Sequence, residues 1–446
     1  MSLVRTLRSA MMRRYADPAR RDAQRVRAEQ RRQQQGRAHE VLYFHQVDDP
    51  YSQLAVQALT ALLARYDIEL TPKLVARPTP IAIHEQRLWD QWATRECAAI
   101  APFYDLQFVA PAAAVALELL TLARRVMLAS GDACTFEAHA RQVSAALYDN
   151  SRAALEAIAA TLTLPSEAAS ERCLEENFQL RHQLGHYLGA MFYYEGEWYW
   201  GIDRLHHLEA RLDALGARRA NAPAGPSVVR LRSAAAPINT SQRLQLEFFP
   251  SLRSPYTHLS YLRVAALCQR YPVDLVLRPV LPMMMRGVKA DRRKGVYILQ
   301  DTQREAEALG IAFGNIWDPF GKPVLRAYSL FPWARDQGKG FEYLHAYSQA
   351  VWGERVNAWS LPGLRAIAER AGLDWNEALK HLDNRDWEAE LETNVQQMIA
   401  AGSWGVPTLR LTATAQLPEF TVWGQDRIWL IEEEIIRRLA LFTSRI

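Results

Sequence analysis

No two cysteines in this sequence stand close enough to act as a redox pair. Cys97, Cys134, Cys173 and Cys268 are tens of residues apart. They offer no CxxC, no metal-ligand spacing and no dense disulfide framework, which points to free thiols in a reducing compartment. Long apolar runs are also missing. The most apolar window, Val109 to Ala123, is 15 residues long and includes Glu118. That is short of the roughly 20 residues of a membrane span, so it reads as a buried helix and no membrane span is expected. The Arg-rich start is never followed by an uninterrupted apolar stretch, so no secretory signal is expected and the expected location is cytoplasmic. The bulk of the chain lacks excess positive charge as well. Residues 1–40 hold 11 Arg against four acids, a net of +7, which leaves −3 for residues 41–446. The basic character thus belongs to the start of the chain, and no nucleic-acid partner is expected.

What is present is ample core material. In 446 residues, 49% hydrophobic and 23% charged, there are 13 Trp, 17 Tyr and 14 Phe, enough for two cores. Residues 1–40 space Met, Leu and Val among Arg and Gln, with Pro18 as an interruption. They read as a basic arm, helical or disordered, lying in solvent or else contacting an acidic surface or the body of the protein. Residues 217–243, rich in Ala, Pro, Arg and Ser, read as a linker.

Two segments share a layout. VLYFHQVDDPYSQLAVQALTALLARYDIELTPKLVARP starts at Val41, and LEFFPSLRSPYTHLSYLRVAALCQRYPVDLVLRPVLP starts at Leu246. Tyr51 falls on Tyr256 and Tyr66 on Tyr271, both 205 residues on; later Trp200 falls on Trp423 and Asp203 on Asp426, both 223 on. A repeat with drifting offset is what two related domains with unequal insertions produce. In each, an apolar strand (Leu42 to Val47; Leu246 to Phe249) leads through a turn to a helix opened by Pro50 or Pro255. Leu54, Ala58, Leu62 and Leu259, Leu262, Ala266 recur at helical spacing and predict the buried faces. Strands at Ile68–Val75 and Val273–Val280 follow. Helical regions, roughly 84–183 and 288–402, precede two short strands and a closing helix: Ala190–Tyr194, Trp198–Trp200 and Asp203–Leu215, then Thr408–Leu411, Phe420–Val422 and Gln425–Ala440. The predicted class is α/β: two tandem thioredoxin-like domains, 41–216 and 244–446, each with a helical insertion.

Four motifs of the second half occur in a telling order: SPY at Ser254–Tyr256, RPVLP at Arg278–Pro282, GSWGVPT at Gly402–Thr408 and WGQDR at Trp423–Arg427. In this order they resemble the DsbA-like branch of the thioredoxin superfamily that includes 2-hydroxychromene-2-carboxylate isomerase and the kappa-class glutathione transferases. The resemblance extends, more loosely, to the first half. It implies glutathione as cofactor, with Ser254 hydrogen-bonding its sulfur and favouring the thiolate. It also implies a cis Val406-Pro407 bond whose backbone pairs with the tripeptide, and Gln425 and Asp426 near the γ-glutamyl end. Lys289, Arg286 and Lys294, after the second strand, are the candidates for a carboxylate; the Met283–Met285 run there departs from the family's glycine-rich loop. Ser254 also has the plain alternative of capping its helix, and so has Asp426.

In the first half Asp49 stands for the serine and Ala190 for the proline. A carboxylate there would repel a thiolate, so this half reads as a structural partner or as a domain with some other function. With Ser254-Pro255-Tyr256-Thr257 where a CxxC would be, thiol-disulfide exchange is disfavoured. No metal is expected: His182, His186, His206 and His207 lack Cys or acidic partners at ligand spacing. Two readings lead, and a thiol-disulfide oxidoreductase with a cysteine brought in from elsewhere in the chain stays as a less favoured third. One is a glutathione-dependent isomerase or transferase acting on a small-molecule electrophile or aromatic substrate; the other is a non-catalytic ligand-binding or scaffold protein of the same family. The two halves are expected to pair as an intramolecular pseudo-dimer, the chain being a monomer or homodimer, because covalent linkage raises their effective concentration.

Overall fold

The computed structural model describes residues 2–78, 83, 85–111, 114–231, 242–288 and 291–443. The chain forms two compact units. The first is Arg21–Arg232; the second joins Met1–Arg20 to Ser233–Ile446.

In the first unit, β1 (Glu40–His45) lies between β2 (Glu69–Leu74), which runs parallel to it, and β3 (Met191–Tyr194), which is antiparallel and pairs onward with β4 (Glu197–Trp200). In the second unit β5 (Leu244–Phe249), β6 (Val273–Leu277), β7 (Thr408–Leu411) and β8 (Phe420–Trp423) repeat the arrangement in the order β6-β5-β7-β8. Both central strands have a hydrogen-bonded strand on each side, and successive side chains, which point to opposite faces, are buried, so the strands read as near-continuous apolar runs. Val41, Tyr43 and Phe44 of β1 and Leu246, Phe248 and Phe249 of β5 are fully buried. The charged exception is Glu247, buried between two guanidiniums: Arg278 donates to it at 3.0 Å and Arg410 at 2.6 Å. A buried carboxylate needs such partners, and here both come from neighbouring strands or their ends.

Helical insertions separate the strand pairs, from Gln86 to Gln183 in one unit and from Arg292 to Ala400 in the other. Most of these helices start on a side-chain cap, as Asp132, Ser166, Ser360 and Asp374 do, because the first amides of a helix have no partner within it. In each insertion an asparagine ties the last helix to the end of the second strand. Asn177 donates to the Leu74 carbonyl at 2.9 Å, and Asn394 to that of Pro279 at 3.0 Å.

Several expectations change. The face set by Leu54, Ala58 and Leu62 is buried, but Leu262 and Ala266 are exposed, and Tyr261, Val264 and Leu267 turn inward instead. The helix opened by Pro255 ends after one turn at His258, and the next, Tyr261–Arg270, starts in a new phase. The two basic helices at the start, Ser2–Tyr15 and Pro18–Gln34, are not free in solvent. Ser9 is fully buried in the second unit, where Arg13 donates to the Ile316 carbonyl at 2.9 Å. In the first unit Ala28 is buried, and Arg25 pairs with Glu197 at 2.6 and 2.8 Å. The few apolar and small residues among the arginines thus cover core, while the guanidiniums find acids and carbonyls. The expected linker also starts late. Arg218 pairs with Asp213 at 2.7 Å, and the Leu231 amide donates to the Phe103 carbonyl at 2.6 Å. Residues 217–231 are therefore fastened to the first unit, and most of the remaining expected linker lies outside the described residues.

Candidate functional site

In the second unit β5 delivers the chain to Ser254, which caps the single helical turn Pro255–His258. Its Oγ accepts the Thr257 amide at 3.1 Å. The hydroxyl proton has only a long contact, 3.5 Å, to the Val406 carbonyl. Capping uses the oxygen as acceptor and leaves the O–H available to an incoming anion. The Val406-Pro407 bond is cis, the only such bond among the described residues, so Gly189-Ala190 in the first unit is trans. Val406 makes no backbone hydrogen bond among the described residues. An extended peptide lying beside it would therefore find both an N–H and a C=O to pair with.

The loop carrying Val406 is held from three sides. Its base packs on Phe249, Val280, Val395 and Met398. Ser403 and Thr408 join hydroxyls at 2.7 Å, and Thr408 donates to the Gly405 carbonyl at 2.8 Å. A side chain at Gly405 would run into the Trp423 ring, so that position needs glycine for the close approach. The Gly424 amide donates to the Pro407 carbonyl at 2.8 Å, which ties the loop to the turn bearing Gln425 and Asp426.

The predicted contact residues then separate. Gln425 is buried and its amide is fully used: Nε2 donates to Glu305 at 2.7 Å and to Asp426, while Oε1 accepts from Arg263. It orients Asp426, which is half-buried beside it. Arg286 donates to the Trp404 carbonyl at 3.3 Å, and its buried Nε has no partner. Burial lowers its pKa, an indication that the cation is poorly solvated. Lys294 opens the helix Arg292–Leu309; it is half-buried, and burial lowers its pKa too. Lys289 lies outside the described residues. His258, four residues after Ser254, is not an acid or base for this site. Its Nε2–H donates to the Ala312 carbonyl at 2.9 Å and burial pushes its pKa down to about 4, so it stays neutral.

Three partners were not foreseen. Tyr256 donates to Asp301 at 2.7 Å, and its counterpart Tyr51 donates to Glu96. Glu96 and Asp301 are 205 apart, the same offset as the tyrosines, and that signal was available in the sequence. The third is Arg253, immediately before Ser254. It pairs at 2.9 Å with the buried Asp318, which also meets Arg8 and accepts the Phe320 amide at 3.2 Å. Ser9 accepts the Asp318 amide at 3.0 Å. No spacing rule links residues 8 and 318.

Residues 245–435 match the family model of the DSBA-like thioredoxin domain. The second unit carries a DsbA-like thioredoxin domain. Among solved structures, a 2-hydroxychromene-2-carboxylate isomerase is similar at 21% identity and TM-score 0.38, covering 45% of this chain and 99% of its own. The cytosolic disulfide reductase DsbM from Pseudomonas aeruginosa, solved with GSH, is similar at 20% identity and TM-score 0.34, covering 44% of this chain and 100% of its own. A probable DsbA oxidoreductase from Streptomyces coelicolor is similar at 17% identity and TM-score 0.34, covering 46% and 91%. A search of curated proteins gave no match. Within the DsbA-like domain no cysteine stands at Ser254 to Thr257, and the four cysteines of the chain are free. No helix among the described residues is long and apolar enough to cross a membrane.

The first unit places Asp49 where the second has Ser254. Its carboxylate accepts the Ser52 hydroxyl at 2.7 Å, the Ser52 amide at 3.0 Å and, weakly, the Tyr51 amide at 3.4 Å. Burial pushes its pKa up to about 6 from an ordinary 3.8, more than those donors pull it down. Between roughly pH 4 and 6 the folded chain therefore keeps a proton that the unfolded chain has lost, and stability falls as pH rises through that window. A rise of about two units corresponds to about 3 kcal/mol. In Asp49→Asn, which keeps an acceptor for the cap, urea unfolding of the first unit should lose this decline. An unchanged pH profile would contradict a buried, proton-binding Asp49.

Proposed function

We propose that the DsbA-like domain is a glutathione-dependent isomerase or transferase for a small-molecule electrophile or aromatic substrate. The observation that carries this reading is the hydroxyl of Ser254, whose oxygen is committed to the Thr257 amide while its proton faces the open backbone of Val406. A thiol seated there would receive one charge-assisted hydrogen bond, which favours its thiolate. The tripeptide backbone would pair with Val406, Asp426 would accept from the γ-glutamyl ammonium, and Arg286 or Lys294 would meet a carboxylate. Lys289 stays a candidate for the same carboxylate. Gln425 acts by holding Asp426.

The chemistry is addition of the thiolate to an electrophilic double bond: the C–S bond forms as the π bond breaks, and the electron pair passes to the adjoining atom. In an isomerisation that pair re-forms the double bond after rotation, the C–S bond breaks and the thiolate returns; in a transfer the C–S bond is kept and the anion takes a proton from water. Disulfide exchange would need a protein thiol at the site, and Ser254 cannot supply one. Matching topologies and the paired Tyr51–Glu96 and Tyr256–Asp301 contacts support descent of the two units by tandem duplication. Free cysteines suit a reducing, cytoplasmic setting.

Calorimetric titration with glutathione tests the binding mode. A single charged hydrogen bond at Asp426 is worth about 1.5–3 kcal/mol, so Asp426→Asn should weaken binding about 10- to 100-fold. Glutathione lacking its amino group should bind equally to both proteins. Unchanged affinity of Asp426→Asn for intact glutathione would reject this orientation of the ligand.

A further inference from the structure

In the second unit, residues 314–320 form neither helix nor strand. Such a segment has no ladder of its own, so its backbone groups must be satisfied from elsewhere. The first helix of the chain, Ser2–Tyr15, supplies two partners. Arg13 donates to the Ile316 carbonyl at 2.9 Å, and the buried Ser9 hydroxyl accepts the Asp318 amide at 3.0 Å. Just beyond that helix, the Ala16 carbonyl lies 2.7 Å from where a Cβ at Gly314 would stand, a contact that only glycine permits. Another part of the segment is held by the Trp317 amide, which donates to the Val351 carbonyl at 2.8 Å.

Asp318 carries this arrangement to the candidate site. Its buried carboxylate pairs with Arg8 of the first helix and, at 2.9 Å, with Arg253, the residue before Ser254. Both guanidiniums also lie over the Phe320 ring, 5.0 Å from its centroid. A further donor of Arg253 reaches the Met284 sulfur at 3.1 Å. Met284 belongs to the short turn Met283–Arg286, from which Arg286 donates to the Trp404 carbonyl, two residues before Val406. Arg253 therefore links the serine turn to the loop that carries Val406, and Asp318 fixes Arg253. A planar guanidinium engaged through several of its donors is held in one orientation.

We propose that Arg253 and Asp318 are positioning residues for Ser254, and that the helix at the start of the chain is the brace that holds them. The arm thereby serves the site without touching the ligand. Its effect on thiolate formation rests on the glutathione reading given above; its effect on the serine turn does not. Placement matters because a hydrogen bond weakens steeply once its donor loses alignment, and the Ser254 hydroxyl is the donor. The same displacement would release the Thr257 amide, which the Ser254 oxygen accepts at 3.1 Å, so the turn carries its own reporter.

Ser9→Ala removes the acceptor of the Asp318 amide and alters no charge. Hydrogen exchange of the ligand-free full chain should show the Thr257 amide exchanging about ten-fold faster in this variant, through easier local opening, with the amides of Thr408–Leu411 unchanged. With glutathione saturating, the bound thiol should ionise about half a unit higher, about a three-fold loss of thiolate at a given pH. Asp318→Asn should speed Thr257 exchange and raise the thiol pKa as well. That sign separates placement from charge, because removing a nearby negative charge by itself favours the thiolate and lowers its pKa. Leu7→Ala, on the exposed face of the same helix, should change neither readout. Unchanged Thr257 exchange in either Ser9→Ala or Asp318→Asn would overturn the proposal. So would a bound-thiol pKa that falls in Asp318→Asn, which would make the cluster an electrostatic device. Absence of bound thiolate in the wild type would reject the glutathione reading instead, and Thr257 exchange would still decide whether the brace holds the serine.

Discussion

Asp318→Ala is expected to cost the second unit about 3–5 kcal/mol, the penalty for removing one partner from a buried ion cluster. The Asp318 side chain is 1% exposed and meets Arg253, which is 17% exposed, and Arg8, which is 31% exposed. Without the carboxylate, Arg253 is left charged and poorly solvated immediately before Ser254. The Phe320 amide loses an acceptor as well. The loss should extend to the start of the chain, because Arg8 and Ser9 both reach residue 318, through its side chain and its amide. Denaturant unfolding checks the stability, and hydrogen exchange of Ser2–Tyr15 checks the coupling. The helix should exchange much faster in the variant. Arg8→Ala should cost less, since Asp318 keeps Arg253 as its partner and Arg8 is the more exposed of the two guanidiniums. A change below about 1 kcal/mol in Asp318→Ala would mean that the cluster does not hold the arm.

Strands, crossovers and the cis proline loop were legible because each rests on local chemistry. Apolar runs mark the doubly flanked strands β1 and β5, and Pro50 and Pro255 mark the helix starts. GSWGVPT marks the loop at Pro407. The phase of Leu262 and Ala266 was not legible, because periodicity cannot register a helix that stops after one turn and restarts. The place of the arm, in solvent or against the body, stayed open for a different reason. Its arginines look solvated in composition, yet Arg8 and Arg25 find their acids, Asp318 and Glu197, far along the chain, and such pairing leaves no trace in spacing. At the site, Ser254 and Val406 were found together as expected. Gln425 illustrates the limit: its residue type suits a ligand contact, and only the positions of Arg263, Glu305 and Asp426 reveal that its amide is already occupied. Asp49 was read as a position that would repel a thiolate, but its burial among neutral donors from Tyr51 and Ser52 left no trace in spacing.

Ser254→Ala should raise the pKa of protein-bound glutathione by about 1–2 units, because a hydrogen bond to a charged group is worth about 1.5–3 kcal/mol and each unit is about 1.36 kcal/mol. The fold should survive. The helix that Ser254 caps is a single turn, and losing a serine cap typically costs about 1 kcal/mol. Tripeptide affinity at a pH where the thiol is neutral should change little, since Val406, Asp426 and Arg286 remain. The direct measurement is a pH titration of thiolate absorbance with glutathione saturating wild-type and Ser254→Ala protein. A bound thiol that ionises below free glutathione in the wild type, and 1–2 units higher in the variant, is the predicted result. Coincident titrations in the two proteins, or no saturable thiolate signal in the wild type, would contradict a thiolate-stabilising role for Ser254.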